Sequence, residues 1–510
     1  MIEALTRRFP SMTLLFATLA LGVGGASAVM VLALASPAKL LVVVIGMLGV
    51  LGTIVQAEVG LLSLVFMTYT RFSDILVHYH GAPSTAKLFV ALLVGSIVLR
   101  WIFYGQQPKG WQLSTTLIVI YGLVGFSSLI YAADYWRAQE AVSDYVKDGL
   151  IVIIITILLQ RADTLRRVIW SLLATGIFMG TISAYQYLTS SFDNNFWGFG
   201  QAAVMHIIGE SNDFRISGPV GDPNFFAQIL LVLVPLALDR MWGEQQPGLR
   251  LLAAWAMAAS TLTILFTFSR GAFLALMVVL AMTLIRRPPR PIVLFLTVAI
   301  VFPMLQFIPA GYTDRLSTLT AALPIIGGGE AKSEVSFRGR TSELTVAWLM
   351  FMDNPITGVG LDNYPVHYQR YSRRVGLDPR REARAPHSFY LQIAAETGLM
   401  GLVTLGGILW IMIRRLGYAE RDFASIGMRN SAGLTASFTI GVVGYLAGAV
   451  FLHAAYPRYF WLLFGIGLAI PQVAKNEVRA AHELEEQEAI AVRKQAMNEK
   501  MYTLTAPRSP

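Results

Sequence analysis

Apolar runs of roughly twenty residues recur along almost the whole chain, and each is long enough to cross the hydrocarbon of a bilayer. A helix satisfies its backbone N–H and C=O groups internally, as a segment surrounded by lipid must. With 510 residues, 55% of them hydrophobic and only 14% charged, the chain is excluded from the soluble enzymes built on one globular core. The reading is an all-α polytopic membrane protein of about 12–14 transmembrane helices. Zero cysteines exclude disulfides, thiolate metal sites and cysteine nucleophiles.

The predicted spans are approximately 11–35, 38–55, 59–78, 87–104, 113–132, 144–160, 165–187, 223–242, 249–268, 271–286, 291–308, 387–413, 432–453 and 457–472. Arg7 and Arg8 precede the first run, and Ala26-Ser27-Ala28 inside it resembles a signal-peptide cleavage site. The run continues apolar to Ala35, so it reads as an uncleaved span. The third span is interrupted by Arg71 and Asp74.

Placing the N-terminus inside puts Arg100, Lys109, Arg161, Arg166, Arg167, Arg240, Arg250, Arg286, Arg287, Arg290, Arg414, Arg415, Arg421 and Arg429 in cytoplasmic turns. Nearly every short loop then obeys the positive-inside rule. The net charge of +9 is explained by these loops and gives no reason to expect nucleic acid. The expected organisation is transmembrane helices over 1–187, an external loop over 188–222, helices over 223–309, a large external loop over 310–386, helices over 387–472 and a charged cytoplasmic tail over 473–510.

Polar chemistry concentrates in the external loops. Asp222-Pro223-Asn224 reads as an N-cap and first turn of a helix, which leaves nearby Arg215 without an account. Arg270, in Ser269-Arg270-Gly271, sits between two spans, where a charge is costly unless paired or wet. Phe337-Arg338-Gly339-Arg340 opens an amphipathic stretch that ends near Met352. Gly358-Val359-Gly360 follows no strand, so it reads as a tight turn returning the chain to the membrane and not as a nucleotide fingerprint.

Six arginines (Arg370, Arg373, Arg374, Arg380, Arg381, Arg384) then precede Pro386-His387 at the start of an apolar helix. A cationic cluster on that side of the membrane calls for an anionic partner. The positive end of a helix disfavours an imidazolium, so His387 reads as a neutral proton acceptor. Gln392 and Glu396, at i and i+4 on another face, read as packing or hydrogen-bonding groups. No Asp-x-Asp pair exists to grip a sugar-nucleotide metal, and His78-x-His80 is isolated.

Taken in order, Arg-Gly-Arg-Thr, Asn-Pro-Ile-Thr-Gly-Val-Gly, Pro-His-Ser-Phe-Tyr-Leu-Gln and Glu-Thr-Gly-Leu-Met-Gly, between Arg338 and Gly401, resemble the bacterial O-antigen ligase and polymerase superfamily of membrane glycosyltransferases. Gly-Asp-Pro-Asn-Phe-Phe-Ala, Phe-Ser-Arg-Gly-Ala and Tyr456-Pro457-Arg458 are also similar to its patterns, and the resemblance extends over roughly 60–470. The family's usual His-Asn is His387-Ser388 here. The resemblance implies a GT-C-like fold in the bacterial inner membrane, with the active site facing the periplasm. It implies transfer of a glycan from undecaprenyl diphosphate to an acceptor hydroxyl, by inversion and without metal or cofactor. His387 is then the general base and Arg215, Arg270 and Arg340 the diphosphate-binding groups, with Arg338, Arg384 and Arg458 as accessory candidates. The implied partners are an undecaprenyl-diphosphate-linked glycan, a glycan or lipid A–core acceptor, and membrane lipid. Ligase and polymerase remain open alternatives. A transporter or flippase is disfavoured by few mid-span ionisable residues and no paired interrupted helices.

Overall fold

The computed structural model describes residues 49–505 apart from 51, 54–55, 83, 207–211, 289–334, 377–383 and 453–456. The expected spans 11–35 and 291–308, and nearly all of 38–55, lie outside the described residues. So do Arg380, Arg381 and Tyr456.

The first half of the chain forms α1 (Ala57–Tyr69), α2 (Phe72–His80), α3 (Thr85–Tyr104), α4 (Trp111–Ser128), α5 (Tyr135–Leu158) and α6 (Ala162–Leu188). A two-stranded antiparallel hairpin, β1 (Ala202–His206) and β2 (Asn212–Ile216), occupies the connection to α7 (Pro223–Leu231). Then follow α8 (Leu233–Gly243), α9 (Pro247–Phe266) and α10 (Arg270–Arg286). The second half holds α11 (Val335–Asp353), α12 (Tyr364–Val375), α13 (Phe389–Ser425), α14 (Arg429–Gly448) and α15 (Pro457–Thr505).

Among the described residues, six helices are long and apolar enough to cross a membrane, or seven if α1 and α2 count as one span bent by 58°. The protein is an all-α polytopic membrane protein, with β1–β2 its small exception. The bend falls at Arg71, where the interruption is read in the sequence: Arg71 takes a left-handed backbone (φ 53°) and pairs with Asp74 at 3.2 Å.

The continuous span formed by α7 and α8 is the centre of the bundle, with 83% of its apolar window buried against 17% for α3 at the periphery. Helices α6, α9, α10 and α14 surround it, and α13 and α15 pack together beside α5. Small residues permit the closest approaches, as membrane helices require in the absence of a hydrophobic drive between them. A Cβ on Gly180 of α6 would lie 2.9 Å from the backbone of Ala259 on α9. Asp222 caps α7 as its sequence suggests, accepting from the N–H groups of Asn224 (2.7 Å) and Phe225 (3.1 Å).

One end of the bundle is locked by buried charge. Arg240 reaches Asp239 at 2.6 Å and Glu244 at 3.3 Å. Asp239 also pairs with Arg287 at 3.0 Å, and Glu244 with Arg166 and the Trp170 indole. The cluster staples α6, α8 and the start of α14, where Arg240 donates to the Asn430 carbonyl, to the residue that follows α10.

Candidate functional site

The opposite end carries the polar segments singled out in the sequence. Here α11 buries a stripe of Val346, Ala347 and Met350 against Tyr364, Tyr368 and Tyr371 of α12 and Ala395 of α13. Glu343 lies on the same stripe, three and four residues before Val346 and Ala347, and is fully buried. Its carboxylate holds two partners. Oε2 lies 2.5 Å from Nδ1 of His387, and Oε1 accepts from Nη1 of Arg384 at 2.9 Å.

Burial by itself would raise the affinity of Glu343 for a proton. The hydrogen bond and charge of His387, then those of Arg384, outweigh it and hold the carboxyl below its ordinary value. An ionised carboxylate only accepts, so Nδ1 of His387 carries the hydrogen that faces Glu343. The sequence offers His387 only a helix dipole and arginines, whereas the structure adds a carboxylate that fixes ring and tautomer. His387 is also not inside the helix. Ser388 is the N-cap of α13, accepting from the Leu391 N–H, and His387 precedes it.

A second contact holds α11 against α13. The turn after α11 inserts into α13 at Gly398, whose backbone (φ 61°, ψ −156°) breaks the helix. Val359 and Gly360 donate to the carbonyls of Ala395 and Glu396, both at 2.9 Å, while Leu399 and Met400 donate to the carbonyls of Pro355 and Ile356 at 2.8 and 3.2 Å. These four bonds stand in for helical ones that the break removes. Gly358 and Gly398 are required: a Cβ on either would lie 2.3 Å from the facing backbone. The Asn-Pro-Ile-Thr-Gly-Val-Gly segment is thus a tight turn, as its composition suggests, and its seat is a membrane helix. Gln392 and Glu396 hydrogen-bond to each other at 3.2 Å, and Glu396 also accepts from the Asp362 N–H at 3.1 Å.

The remaining predicted site residues divide into groups. Arg340 stands one turn before Glu343 on α11, half-buried on the same side. Arg338 lies on α11 near its start. Arg215 is buried, donating to the Thr267 carbonyl at 2.6 Å and to Oδ1 of Asn224 at 3.0 Å. This ties β2 to the Gly-Asp-Pro-Asn segment and to Thr267, the C-cap of α9, just before α10, where Ser269 is the N-cap and Arg270 is half-buried. Gly271 lies against Phe451, five residues after Leu446, whose carbonyl accepts from the Tyr390 hydroxyl at 2.8 Å. Arg215, Arg270 and His387 therefore share one end of the bundle. Arg458 points elsewhere, with Nε 3.3 Å from Oδ1 of Asp148. Of the basic rim, Arg370, Arg373 and Arg374 are exposed on α12, and Arg374 pairs with Asp353 at 3.0 Å.

Glu343 is the site residue that sequence reasoning missed. The signal was present: a carboxylate in register with an apolar helical stripe is a buried charge that demands a partner.

The region that joins Arg270, Arg340, Glu343, Arg384, His387 and Gly398 is the part of the chain with a counterpart among known families. Residues 255–406 match the family model for O-antigen ligase. The match supports the O-antigen ligase and polymerase superfamily. It is narrower than the resemblance read from motifs, leaving Arg215 and Arg458 outside. No curated protein matches the chain. Activity of the ligase or polymerase type agrees with a polytopic bundle that carries its polar site at one end.

Proposed function

We propose that this membrane protein transfers a glycan from undecaprenyl diphosphate to an acceptor hydroxyl, at the periplasmic face of the bacterial inner membrane. The observation that carries this reading is the Glu343–His387 pair, in which a buried carboxylate holds a part-exposed imidazole, inside the region that matches O-antigen ligase. Glu343 holds the ring through Nδ1–H and stabilises the imidazolium as it forms. Nε2 takes the proton of the acceptor hydroxyl. The acceptor oxygen attacks the anomeric carbon from the side opposite the diphosphate, and the bond from that carbon to the phosphate oxygen breaks. The configuration inverts, and undecaprenyl diphosphate leaves with the electron pair.

Arginine suits the leaving group because its planar fork binds phosphate oxygens bidentately and never loses its charge. Arg215 and Arg270 approach from one side, and Arg340 with Arg384 from the α11 side, as the positive charges that meet the developing diphosphate. With these in place the reaction needs no metal, and transfer should persist in excess EDTA.

The acceptor separates the two members of the superfamily. Purified protein in vesicles is given only the lipid-linked repeat unit. A ladder of longer lipid-linked chains means a polymerase, and product that appears only after lipid A–core is added means a ligase. The basic rim on α12 faces an acceptor that bears phosphate in either case, and we favour the ligase. Absence of any glycan product, together with substrate-dependent ion flux, would replace the proposal with transport. Two observations favour that rival: α1–α2 and α13 are both broken helices, and Asp239 and Arg240 are a buried ion pair.

A further inference from the structure

The helix that carries Glu343 has an outer face that a water-exposed loop does not explain. Trp348, Met352 and Ile356 are 51%, 55% and 64% exposed and follow one another at four-residue spacing along α11 and its exit. This is one apolar stripe on the side away from the Val346–Met350 core.

Two fixed points set the direction of α11. Glu343 meets His387, and Pro355 meets Leu399. Twelve residues separate the two points on each strand of the pair (355 less 343, and 399 less 387), so α11 runs alongside the first turns of α13, in the same direction and in step with it. Gly398 lies sixteen residues before Arg414, the first arginine at the far end of that span. At 1.5 Å per residue this is about 24 Å, less than the roughly 30 Å of bilayer hydrocarbon. Ile356 bonds to Met400 at that depth, and the neighbouring lipid-facing residues Leu399, Met400 and Val403 are exposed. The irregular backbone of 355–360 is tolerated there because α13 satisfies it. The rim continues sideways through the exposed Ile130, Tyr131, Tyr135 and Trp136, with the Tyr131 hydroxyl donating to the Thr357 carbonyl at 2.8 Å. Aromatic side chains at that level are the composition of a membrane interface.

We infer that the lower half of α11 and the turn after it are immersed in the lipid leaflet at the His387 end, with Trp348, Met352 and Ile356 in contact with acyl chains. Glu343 then stands about 14 Å above Met352 along the helix, level with lipid head groups. If glycan transfer is the function, the carboxylate–histidine pair meets the diphosphate of a lipid carrier without lifting it from the bilayer. That consequence rests on the proposed function, whereas the immersion does not.

The cysteine-free chain makes a direct test available. Trp348→Cys, Met352→Cys and Ile356→Cys each carry a nitroxide label in vesicles of phosphatidylethanolamine and phosphatidylglycerol, with Val403→Cys on α13 and Arg373→Cys on α12 as references. Collisions with oxygen report lipid, and collisions with a nickel chelate report water. The ratio of oxygen to nickel accessibility should rise several-fold from Arg373→Cys to Met352→Cys and Ile356→Cys, approaching Val403→Cys, with Trp348→Cys between. A ratio at Met352→Cys and Ile356→Cys equal to that of Arg373→Cys overturns the inference. Shielding from both reagents also overturns it, because another protein surface would then cover the stripe. The readout involves no catalysis, so an inactive protein with lipid-exposed labels would sink the proposed function alone.

Discussion

Each end of the helix bundle buries carboxylates against arginines, yet the two clusters differ in how closed they are. At one end Asp239, Arg240 and Glu244 are all buried, with side-chain exposures of 2%, 2% and 3%, and are bonded to one another and to further helices. At the other end Glu343 is equally buried at 1%, but its partner His387 keeps 29% of its side chain exposed. The first arrangement ties helices together through buried ion pairs. The second anchors a titratable ring from behind and leaves its front accessible. A buried ion pair is a weak argument for stability, since desolvation offsets much of the attraction, although removing one partner is costly. Under the proposed function the closed cluster is structural and the open one carries the chemistry.

Substitutions at the two ends should separate those roles. The largest effect is expected from His387→Ala, which should abolish transfer, a general base contributing about 10²–10⁴ in rate. Insertion and thermal unfolding in detergent should stay close to those of the parent. Activity that survives His387→Ala, especially if His453→Ala removes it, would reassign the base; His453 lies outside the described residues.

Glu343→Gln should lower the rate by at least about tenfold while keeping the shape of the side chain. The lowered proton affinity of Glu343 has a direction in pH. The ionised form contributes above the ordinary carboxyl value of 4.5, and its contribution is lost as pH falls through the lower value in the folded protein. The acid limb of stability should therefore lie below about pH 4.5 in the parent and flatten in Glu343→Gln. An unchanged acid limb would detach Glu343 from the site.

Arg240→Ala should show the opposite pattern. Leaving buried Asp239 and Glu244 without it costs on the order of 3–5 kcal/mol of stability. Whatever folded protein remains should turn over at close to the parent rate per molecule. A stable but inactive Arg240→Ala would erase the distinction between the two ends.

Smaller losses are expected at the three separated arginines. Arg215→Ala, Arg270→Ala and Arg340→Ala should each reduce transfer by more than about tenfold, with lysine substituting poorly because it lacks the bidentate fork. The smallest effect belongs to Arg373→Ala on the exposed rim of α12, which should stay within about twofold, as screened surface charges do. Equal tolerance at all four positions would remove the case for a convergent diphosphate site.

Much of this was legible from local pattern. Apolar periodicity marks each span because a helix in lipid needs its own run of some twenty apolar residues. The interruption at Arg71 and Asp74, the Asp222 cap and the tight turn at Gly358-Val359-Gly360 are likewise written within a few residues of where they act. The motif order also singled out His387 and placed the chain beside the superfamily that residues 255–406 match.

Partnership across distance was not legible. Glu343 meets His387 across 44 positions of chain, and an acidic residue in an amphipathic stretch reads as solvated until that stretch has something to pack against. The resemblance makes Arg458 an accessory site candidate, whereas the packing of α15 on α5 presents it to Asp148. The break at Gly398 is hidden in an apolar run that scans as continuous helix, because the bonds that stabilise it come from residues 355–360. Sequence by itself determined that the chain is an all-α polytopic membrane protein and which residue types gather near His387, since hydropathy and capping act over a few residues. Tertiary structure decided which charge faces which, because burial and hydrogen-bond geometry exist only once separate helices have docked.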